Sequence, residues 1–264
     1  MERLRVAALQ LDLKWQDPPA NRRRIEDMLG TLHEPADMIL LPEMFTTGFT
    51  MEAASYAEEP EGETLDWMIQ QAREHRAVVG GSIIVQEDGR YFNRFMLAGA
   101  DELLAEYDKR HLFRLAGEHE AFARGEAWSW YLYKGWRVVP MICYDLRFPV
   151  WSRNRADKRG QLACDLLIYV ANWPSPRIRH WEILLQARAI ENQCFVIGLN
   201  RVGTDGKGLH YPGASLVVDP RGEVLARGDD SEMLMQVVLD PAPMLQYRED
   251  FPVWMDADTF ELYL

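Results

Sequence analysis

Short apolar runs of strand length alternate with helical patterns along nearly the whole chain. Residues 37–43 contain a continuous apolar run between a charge and a proline, which is typical of a strand buried on both faces. Residues 63–75 instead carry apolar side chains at the spacing i, i+3, i+4 and i+7, which predicts an amphipathic helix. The dipeptides Asp88-Gly89 and Lys134-Gly135 stand between strand-like runs and predict hairpins.

Read in this way, the pattern interleaves strands with helices and therefore predicts α/β layers. No repeat, low-complexity tract or flexible linker divides the chain, so we expect residues 1–264 to form a single domain. Helices are predicted at residues 21–32, 63–75 and 179–193. Strands are predicted at residues 5–11, 37–43, 77–86, 91–99, 103–108, 128–133, 136–143, 165–172, 194–200, 215–219, 223–226 and 233–239.

Two segments near the C-terminus carry more apolar surface than one domain needs. The helix at residues 179–193 is apolar on several sides, which is typical of a helix that is deeply buried or lies at a subunit interface. The tail, residues 241–264, has Pro, Trp, Tyr and Phe but no clear period, and large apolar groups of this kind need a cover. We therefore expect a homo-oligomer, a dimer or higher, with the tail at a subunit interface.

Composition narrows the class of protein. Of 264 residues, 29 are Lys or Arg and 41 are Asp or Glu, and the net charge of −12 argues against nucleic-acid and anionic-membrane partners. The apolar runs are shorter than the roughly 20 residues of a membrane span, and the start of the chain lacks a signal-peptide pattern. Three cysteines are too few for a disulfide framework. We expect a cytoplasmic protein with reduced cysteines.

Cys143 is the cysteine best placed for chemistry. It ends an apolar strand and is followed by Tyr-Asp-Leu-Arg-Phe-Pro, in which Pro149 can open a helix. A helix N-terminus lowers the pKa of a nearby thiol and supplies backbone donors for an oxyanion. Most free cysteines are instead small buried apolar groups, and that reading suits the other two cysteines. The polar neighbours Asp145 and Arg147 favour chemistry at Cys143.

A reactive thiol needs a base and a charge partner, and two candidates lie earlier in the chain. Glu43 follows a predicted strand among apolar neighbours, which suits a general base, although a single Glu more often faces water. Lys109 follows another strand and could equally be a surface lysine paired with Asp108. Together with Cys143, both lie just past the carboxyl ends of strands, where open α/β sheets bind ligands.

The order Glu…Lys…Cys resembles the nitrilase (carbon–nitrogen hydrolase) superfamily from about residue 4 to residue 239. The motifs that carry it are Leu-Pro-Glu-Met-Phe, Asp-Lys-Arg-His-Leu-Phe and Ile-Cys-Tyr-Asp-Leu-Arg-Phe-Pro. The resemblance implies a four-layer αββα sandwich, a triad of Glu43, Lys109 and Cys143, oligomers, and neither a cofactor nor a metal. The family's further active-site glutamate lies in a Glu-x-x-x-Phe-x-x-Gly pattern, which implies Glu118 rather than Glu120.

Residues around the cysteine sort the chemistries of the superfamily. True nitrilases commonly show Cys-Trp-Glu, whereas this chain has Cys-Tyr-Asp, and the turn lacks the further basic residues of carbamoyl-amino-acid hydrolases. Cys-Tyr-Asp-Leu-Arg-Phe-Pro, with Ala-Asn-Trp-Pro at residues 171–174, is similar to the omega-amidase branch. That branch deaminates small 2-oxo dicarboxylic acid monoamides such as 2-oxoglutaramate and 2-oxosuccinamate. A carbamoyl amide, a nitrile and thioester-based acyl transfer remain as alternatives.

The implied reaction forms a thioester at Cys143, with Glu43 as base and with Lys109 and the Tyr144 backbone N–H binding the oxyanion. A small-molecule amide of this kind also needs contacts with the cavity wall, for which we predict Tyr144, Trp173, Phe45 and Arg147. Core packing is an equal alternative for Trp173 and Phe45. The cation for the distal carboxylate is left open among Arg110, Arg114, Arg147 and Arg177, and Arg147 could equally pair with Asp145 as a structural brace.

Two other patterns are set aside. The glycine-rich residues 203–208 lack the Ser or Thr and the helix that follow a phosphate-binding loop, so we expect a mobile loop there. Histidine and glutamate cluster at residues 111–120 without the His-Glu-x-x-His spacing of a zinc site.

Overall fold

Two mixed β-sheets form the centre of the protein, and the computed structural model describes residues 1–157 and 159–262. The last two residues of the predicted tail, 263 and 264, lie outside the described residues. The strands are β1 Leu4–Gln10, β2 Met38–Leu40, β3 Val78–Glu87, β4 Arg90–Ala98, β5 Leu103–Asp108, β6 Tyr131–Tyr133, β7 Trp136–Ile142, β8 Leu166–Ala171, β9 Phe195–Asn200, β10 Val202–Thr204, β11 His210–Pro212, β12 Leu216–Val218, β13 Val224–Arg227 and β14 Met233–Leu239. The α-helices are α1 Pro18–Leu29, α2 Ala53–Tyr56, α3 Glu63–His75, α4 Glu118–Ala121, α5 Ile178–Asn192 and α6 Pro241–Asp250.

Each large sheet has six strands with a parallel centre and antiparallel edges. The first has the order β14-β1-β2-β3-β4-β5, in which β1, β2 and β3 are parallel. The second has the order β13-β12-β9-β8-β7-β6, in which β7, β8 and β9 are parallel. Strand β5 is antiparallel to β4, which is antiparallel to β3, so β2 and β5 end at the same edge of the first sheet.

Helices cover the outer faces of the sheets and complete four layers. One apolar core lies between the first sheet and the helices α1 and α3, which contribute Ile25, Leu65 and Met68. A larger core joins the inner faces of the two sheets and extends under α5, which contributes Trp181 and Leu185. The predicted αββα sandwich is therefore confirmed, and apolar side chains of the two inner faces pack against each other between the sheets.

Most of the predicted elements are found within a few residues of their expected bounds. The helix at residues 63–75 and the strands at 103–108 and 233–239 are confirmed at both ends. The strand expected at 37–43 is shorter and ends at Leu40, because Pro42 has no N–H and Met44 turns the backbone at φ +44°. The two predicted hairpins form between β3 and β4 and between β6 and β7.

Three expectations near the site and the tail need correction. No helix opens at Pro149; a five-residue 3-10 helix, Cys143–Arg147, follows β7 directly. The expected loop is found at residues 205–208, whereas residues 203 and 204 belong to β10, which pairs with β11 in a hairpin. Helix α6 was missed because it has no apolar period, although its start carries two ordinary signals, an Asp240 side-chain cap and Pro241 in the first turn.

Candidate active site

The structure brings Glu43, Lys109 and Cys143 together, although they come from two sheets. Glu43 lies three residues after β2, and Lys109 and Cys143 directly follow β5 and β7. The Lys109 ammonium lies 2.8 Å from Glu43 Oε1, and both side chains are fully buried. Lys109 and Cys143 line the floor of a cavity of about 590 Å³.

A second carboxylate holds the same ammonium. Lys109 Nζ donates to both oxygens of Glu118, at 2.8 and 3.0 Å. The Glu118 side chain is fully buried, and its Oε2 also accepts from the backbone N–H of Phe113. Glu120 instead points outward, with a side chain that is 79% exposed and lies 3.9 Å from His119. Of the two glutamates weighed in the sequence, Glu118 is therefore the one at the site.

This group of charges shifts the pKa of its own members. Burial disfavours the ammonium of Lys109, but Glu118 and Glu43 outweigh it and raise the pKa of Lys109 above its usual value. Burial and the nearby charge of Glu43 raise the pKa of Glu118, although Lys109 opposes both. The lysine is consequently a fixed positive charge on the cavity floor.

The expected lowering of the thiol pKa is wrong. Burial raises the pKa of Cys143 well above its usual value, and the charges of Glu43 and Glu118 add to this against Lys109. A 3-10 helix of five residues also lacks the dipole of the longer helix that was expected at Pro149. The thiol is therefore protonated at neutral pH, and a reaction there needs a base within reach.

Both turns that carry these groups have unusual backbone geometry. Cys143 has φ +45° and Met44, next to Glu43, has φ +44°, which is the left-handed region that residues other than glycine rarely adopt. Such conformations persist where the surrounding structure holds them, and they are concentrated at functional sites.

Two buried asparagines complete the floor, and the sequence analysis missed both as site residues. Asn93 on β4 donates its Nδ2 to Glu43 Oε1 at 2.8 Å. The backbone N–H of Asn172 donates to Glu43 Oε2 at 2.8 Å, and its side chain donates to the Glu43 carbonyl at 2.7 Å. A signal existed for each: Asn93 interrupts a buried apolar strand, and Asn172 directly follows the carboxyl end of β8.

The wall of the cavity contains three of the four predicted binding residues, Tyr144, Trp173 and Arg147. The expectation for Phe45 is corrected, since its ring is fully buried in the core against Trp67. Phe49, four residues further along the chain, lines the cavity, and its ring centre lies 5.1 Å from Lys109 Nζ.

Two of the four candidate arginines also line this cavity. The guanidinium of Arg147 lies 5.0 Å from the Trp173 ring centre and contacts His180 Nδ1 at 3.0 Å. Arg177 lies 5.2 Å from the ring centre of Phe113. The remaining two, Arg110 and Arg114, line a separate cavity.

The hairpin of β10 and β11 supplies the rest of the wall. Asp205, Lys207 and Leu209 from its loop, with Tyr211 from β11, line the cavity. Asp205 Oδ2 accepts from the Tyr211 hydroxyl at 2.9 Å, and Oδ1 accepts from two backbone N–H groups of the loop. The glycine spacing of this segment resembles a phosphate-binding loop, and the sequence analysis did not predict that the segment lines the site.

Within residues 1–157 and 159–262, no group of three or more His, Cys, Asp or Glu side chains is arranged to hold a metal ion. Across the same residues, no helix has the length and the apolar character needed to cross a membrane.

The fold, the buried Glu–Lys–Glu group and the nearby cysteine can be compared with those of known proteins. Residues 5–249 match the model of the carbon–nitrogen hydrolase family. The chain belongs to this family, and the resemblance found in its three motifs is confirmed.

Individual relatives match the chain along nearly all of its length. Omega-amidase YafV of Escherichia coli (strain K12) is 46% identical over 264 residues, which are 100% of both chains. The 2-oxoglutaramate amidase of Bacillus subtilis (strain 168) is 33% identical over 254 residues, which are 95% of this chain and 96% of the relative. A crystal structure of a CN-hydrolase superfamily protein from Xanthomonas campestris, with an arsenic adduct in the active site, is 42% identical and covers 100% of both chains with a TM-score of 0.96.

Proposed function

We propose that this chain is an omega-amidase, which hydrolyses the omega-amide of 2-oxoglutaramate or 2-oxosuccinamate to the acid and ammonia through a thioester at Cys143. The observation that carries the proposal is the buried ammonium of Lys109, held between Glu43 and Glu118 at the floor of the cavity that Cys143 lines. The omega-amidase and 2-oxoglutaramate amidase names of its relatives support the substrate class.

Acylation begins with transfer of the Cys143 proton to Glu43. The raised pKa of the thiol makes this base necessary, since little thiolate is present beforehand. The sulfur then attacks the amide carbon, and the carbonyl oxygen gains a negative charge. The Lys109 ammonium and the backbone N–H of Tyr144, which follows the nucleophile in the 3-10 helix, stabilise that charge.

The same carboxylate serves both halves of the reaction. Protonated Glu43 gives its proton to the leaving nitrogen, the carbon–nitrogen bond breaks, and ammonia leaves a thioester on Cys143. Glu43 then takes a proton from water, the resulting hydroxide attacks the thioester carbon, the carbon–sulfur bond breaks to release the acid, and the proton on Glu43 returns to the Cys143 thiolate. The two hydrogen bonds from Asn93 and Asn172 keep Glu43 oriented through these steps.

Glu118 positions the lysine. Its two contacts with Lys109 Nζ leave the ammonium fixed in direction as well as in charge. An ammonium held in this way does not need to reorganise when the oxyanion forms, which is the condition for strong electrostatic stabilisation.

The distal end of the substrate carries a carboxylate beside a 2-oxo group, and we assign its recognition to Arg147. Its guanidinium lies on the cavity wall, on the face of Trp173, and not in an ion pair with Asp145, whose oxygens accept from other donors. Arg177 on the same wall is a second cation near that end, while Tyr144 and Trp173 supply apolar walls.

We also propose a homodimer in the cytoplasm for the working enzyme. Ile183 and Ile190 on α5 are 52% and 49% exposed, and Phe251 and Met255 in the tail are 55% and 65% exposed. Apolar side chains of this size on the surface support a partner subunit there. Three free cysteines fit a reducing compartment, and the net charge of −12 fits a protein without nucleic-acid or anionic-membrane partners.

The substrate assignment is tested by ammonia release from 2-oxoglutaramate beside glutamine, a simple nitrile and a carbamoyl amino acid. We expect rapid release from the oxo-amide, much slower release from glutamine, and none from the other two. Equal or faster release from the nitrile or from the carbamoyl amino acid would move the chain to another branch of the family. If none of the four is hydrolysed by folded protein, the omega-amidase proposal fails.

A further inference from the structure

Asp145 is a fully buried carboxylate two residues after Cys143, and the mechanism above gives it no part. Its Oδ2 accepts from the Ile142 backbone N–H at 3.0 Å and from the Tyr107 hydroxyl at 2.8 Å. Its Oδ1 lies 3.0 Å from the His111 backbone nitrogen, which donates to it, and 2.7 Å from His111 Nδ1. Four polar groups thus converge on one side chain.

The residues that contact Asp145 lie close in sequence to Lys109 and to Cys143. Tyr107 lies two residues before Lys109 and His111 two residues after it, while Ile142 directly precedes Cys143. Lys109 follows a strand of the first sheet and Cys143 follows a strand of the second. The two sheets are separate ladders, so side-chain contacts such as those of Asp145 help to fix the position of one sheet relative to the other.

The turn at Cys143 needs such support. With φ +45°, this residue has a backbone conformation that surrounding contacts must hold. The hydrogen bond that the Ile142 N–H donates to Asp145 Oδ2 closes a loop around Cys143. Burial raises the pKa of Tyr107 and keeps its hydroxyl protonated as a donor, and Trp151 Nε1 holds the same hydroxyl at 2.9 Å.

We propose that Asp145 is a positioning residue: it fixes the Cys143 turn against Lys109, so that the Lys109 ammonium and the Tyr144 N–H face the same substrate oxygen. The inference rests on the proposed function, since it assigns Asp145 a part in that same reaction. Asp145 acts through its neighbours and does not touch the substrate.

The test is Asp145→Asn, which keeps the size of the side chain but replaces one acceptor oxygen with an NH2 donor. Two of the four converging groups then face a donor, and the turn shifts. A displacement of about 1 Å lowers turnover by roughly 10²-fold, so we expect that loss in kcat with 2-oxoglutaramate. KM should change by less than about threefold, because Asp145 does not line the cavity and the Arg147 guanidinium keeps its contacts with Trp173 and His180. An unchanged kcat would overturn the inference.

Asp165→Asn is the matched control. Asp165 is equally buried and accepts from the Arg137 backbone N–H and from Arg248 at 2.6 Å, but it directly precedes β8 at the opposite end of the strands. This variant should lose thermal stability and keep the kcat of the folded protein. If both variants lose kcat to the same extent, the effect of Asp145 is one of general stability and the inference is overturned.

Failure of the proposed function is a separate result. It is recognised when the wild-type protein itself does not hydrolyse 2-oxoglutaramate. In that case alkylation of Cys143 by iodoacetamide, followed by intact mass, decides the inference about Asp145. Slower alkylation in Asp145→Asn than in the wild type and Asp165→Asn supports it, and equal rates in all three overturn it.

Discussion

The floor of the cavity and its mouth, which is the part of the wall that carries Arg147 and Lys207, differ in how their charged groups are held. On the floor, Glu43, Lys109 and Glu118 are at most 1% exposed, and hydrogen bonds fix each of them. At the mouth, the cations Arg147 and Lys207 keep contact with solvent and lie against aromatic rings. Buried charges interact strongly and cannot reorganise, which suits stabilisation of a transition state. Exposed cations on flexible side chains suit selection among substrates.

This difference predicts that changes on the floor lower kcat, whereas changes at the mouth raise KM. It also predicts that the effects become smaller from the floor to the mouth and vanish at the other end of the sheets.

Glu43→Gln should have the largest effect among the floor carboxylates. The amide has nearly the same shape but cannot take the proton of Cys143, so kcat should fall by about 10²–10⁴-fold with little change in KM. Steady-state ammonia release measures both constants. Glu232→Gln is the control. Like Glu43, Glu232 pairs with a cation, in this case Arg24, and accepts a backbone N–H, but it lies outside the cavity. A Glu43→Gln enzyme with the wild-type kcat would contradict the role of Glu43 as the general base.

Glu118→Gln tests the electrostatics of the floor by pH. The Glu118 carboxylate helps to raise the pKa of Cys143, so its removal should lower that pKa. The rate of iodoacetamide alkylation, followed by intact mass across a pH series, should therefore rise at lower pH than in the wild type. Amide turnover should fall by about 10²-fold, since the lysine loses one anchor.

The neighbouring Glu120→Gln provides the control for this experiment, because its side chain is exposed. It should leave both the alkylation curve and turnover unchanged. A curve for Glu118→Gln that stays in place or moves to higher pH contradicts the assigned charge arrangement.

Arg147→Gln should act on binding. Loss of a charge-assisted contact worth about 1.5–3 kcal/mol raises KM for 2-oxoglutaramate roughly 10–100-fold, with kcat kept within a few-fold. Arg221→Gln, an exposed arginine 4.9 Å from the Tyr247 ring, is a matched control remote from the cavity. If KM stays constant and kcat falls instead, Arg147 acts in the chemical step and not in substrate binding.

Asp37→Asn should leave activity unchanged, because Asp37 lies before β2, at the end of the strands away from the cavity. Burial opposes its charge, but hydrogen bonds from Arg5 and Lys134 hold the pKa of Asp37 below its usual range. The stability this contributes is present above the unfolded pKa and is lost as the pH falls through the folded one.

Urea unfolding should therefore show a loss of about 1–3 kcal/mol for Asp37→Asn at pH 7, shrinking as the pH drops below about 4. Asp27→Asn, an exposed position on α1, should show no such loss. A difference between wild type and Asp37→Asn that is constant with pH would contradict the assigned pKa direction.

The meeting of Glu43, Lys109 and Cys143 at one place could be predicted from the sequence because the three residues share a local signal. Glu43, Lys109 and Cys143 are chemically capable side chains just past strand ends, and strand ends are visible as the limits of apolar runs. Asn93 interrupts an apolar strand but does not lie at its end, and its contact with Glu43 depends on how β4 pairs beside β3. Asn172 had the same strand-end position and could have been found by the same rule.

Other features depend on how the layers close. The choice between Phe45 and Phe49 for the cavity wall is made by the turn at Met44, whose φ of +44° no local pattern indicates. The thiol pKa was predicted in the wrong direction because burial by the two packed sheets outweighs the local backbone field. Helix α6 packs through Met244 and Arg248 without an amphipathic period, so its existence was visible in its capping residues alone.

The central claim is that the reaction passes through a thioester at Cys143, and Cys143→Ala tests it most directly. Ammonia release from 2-oxoglutaramate should fall by at least about 10⁴-fold, because a removed nucleophile leaves only binding and oxyanion stabilisation. Circular dichroism should show the variant folded as the wild type is. Ammonia release by folded Cys143→Ala at a rate near that of the wild type would contradict the account.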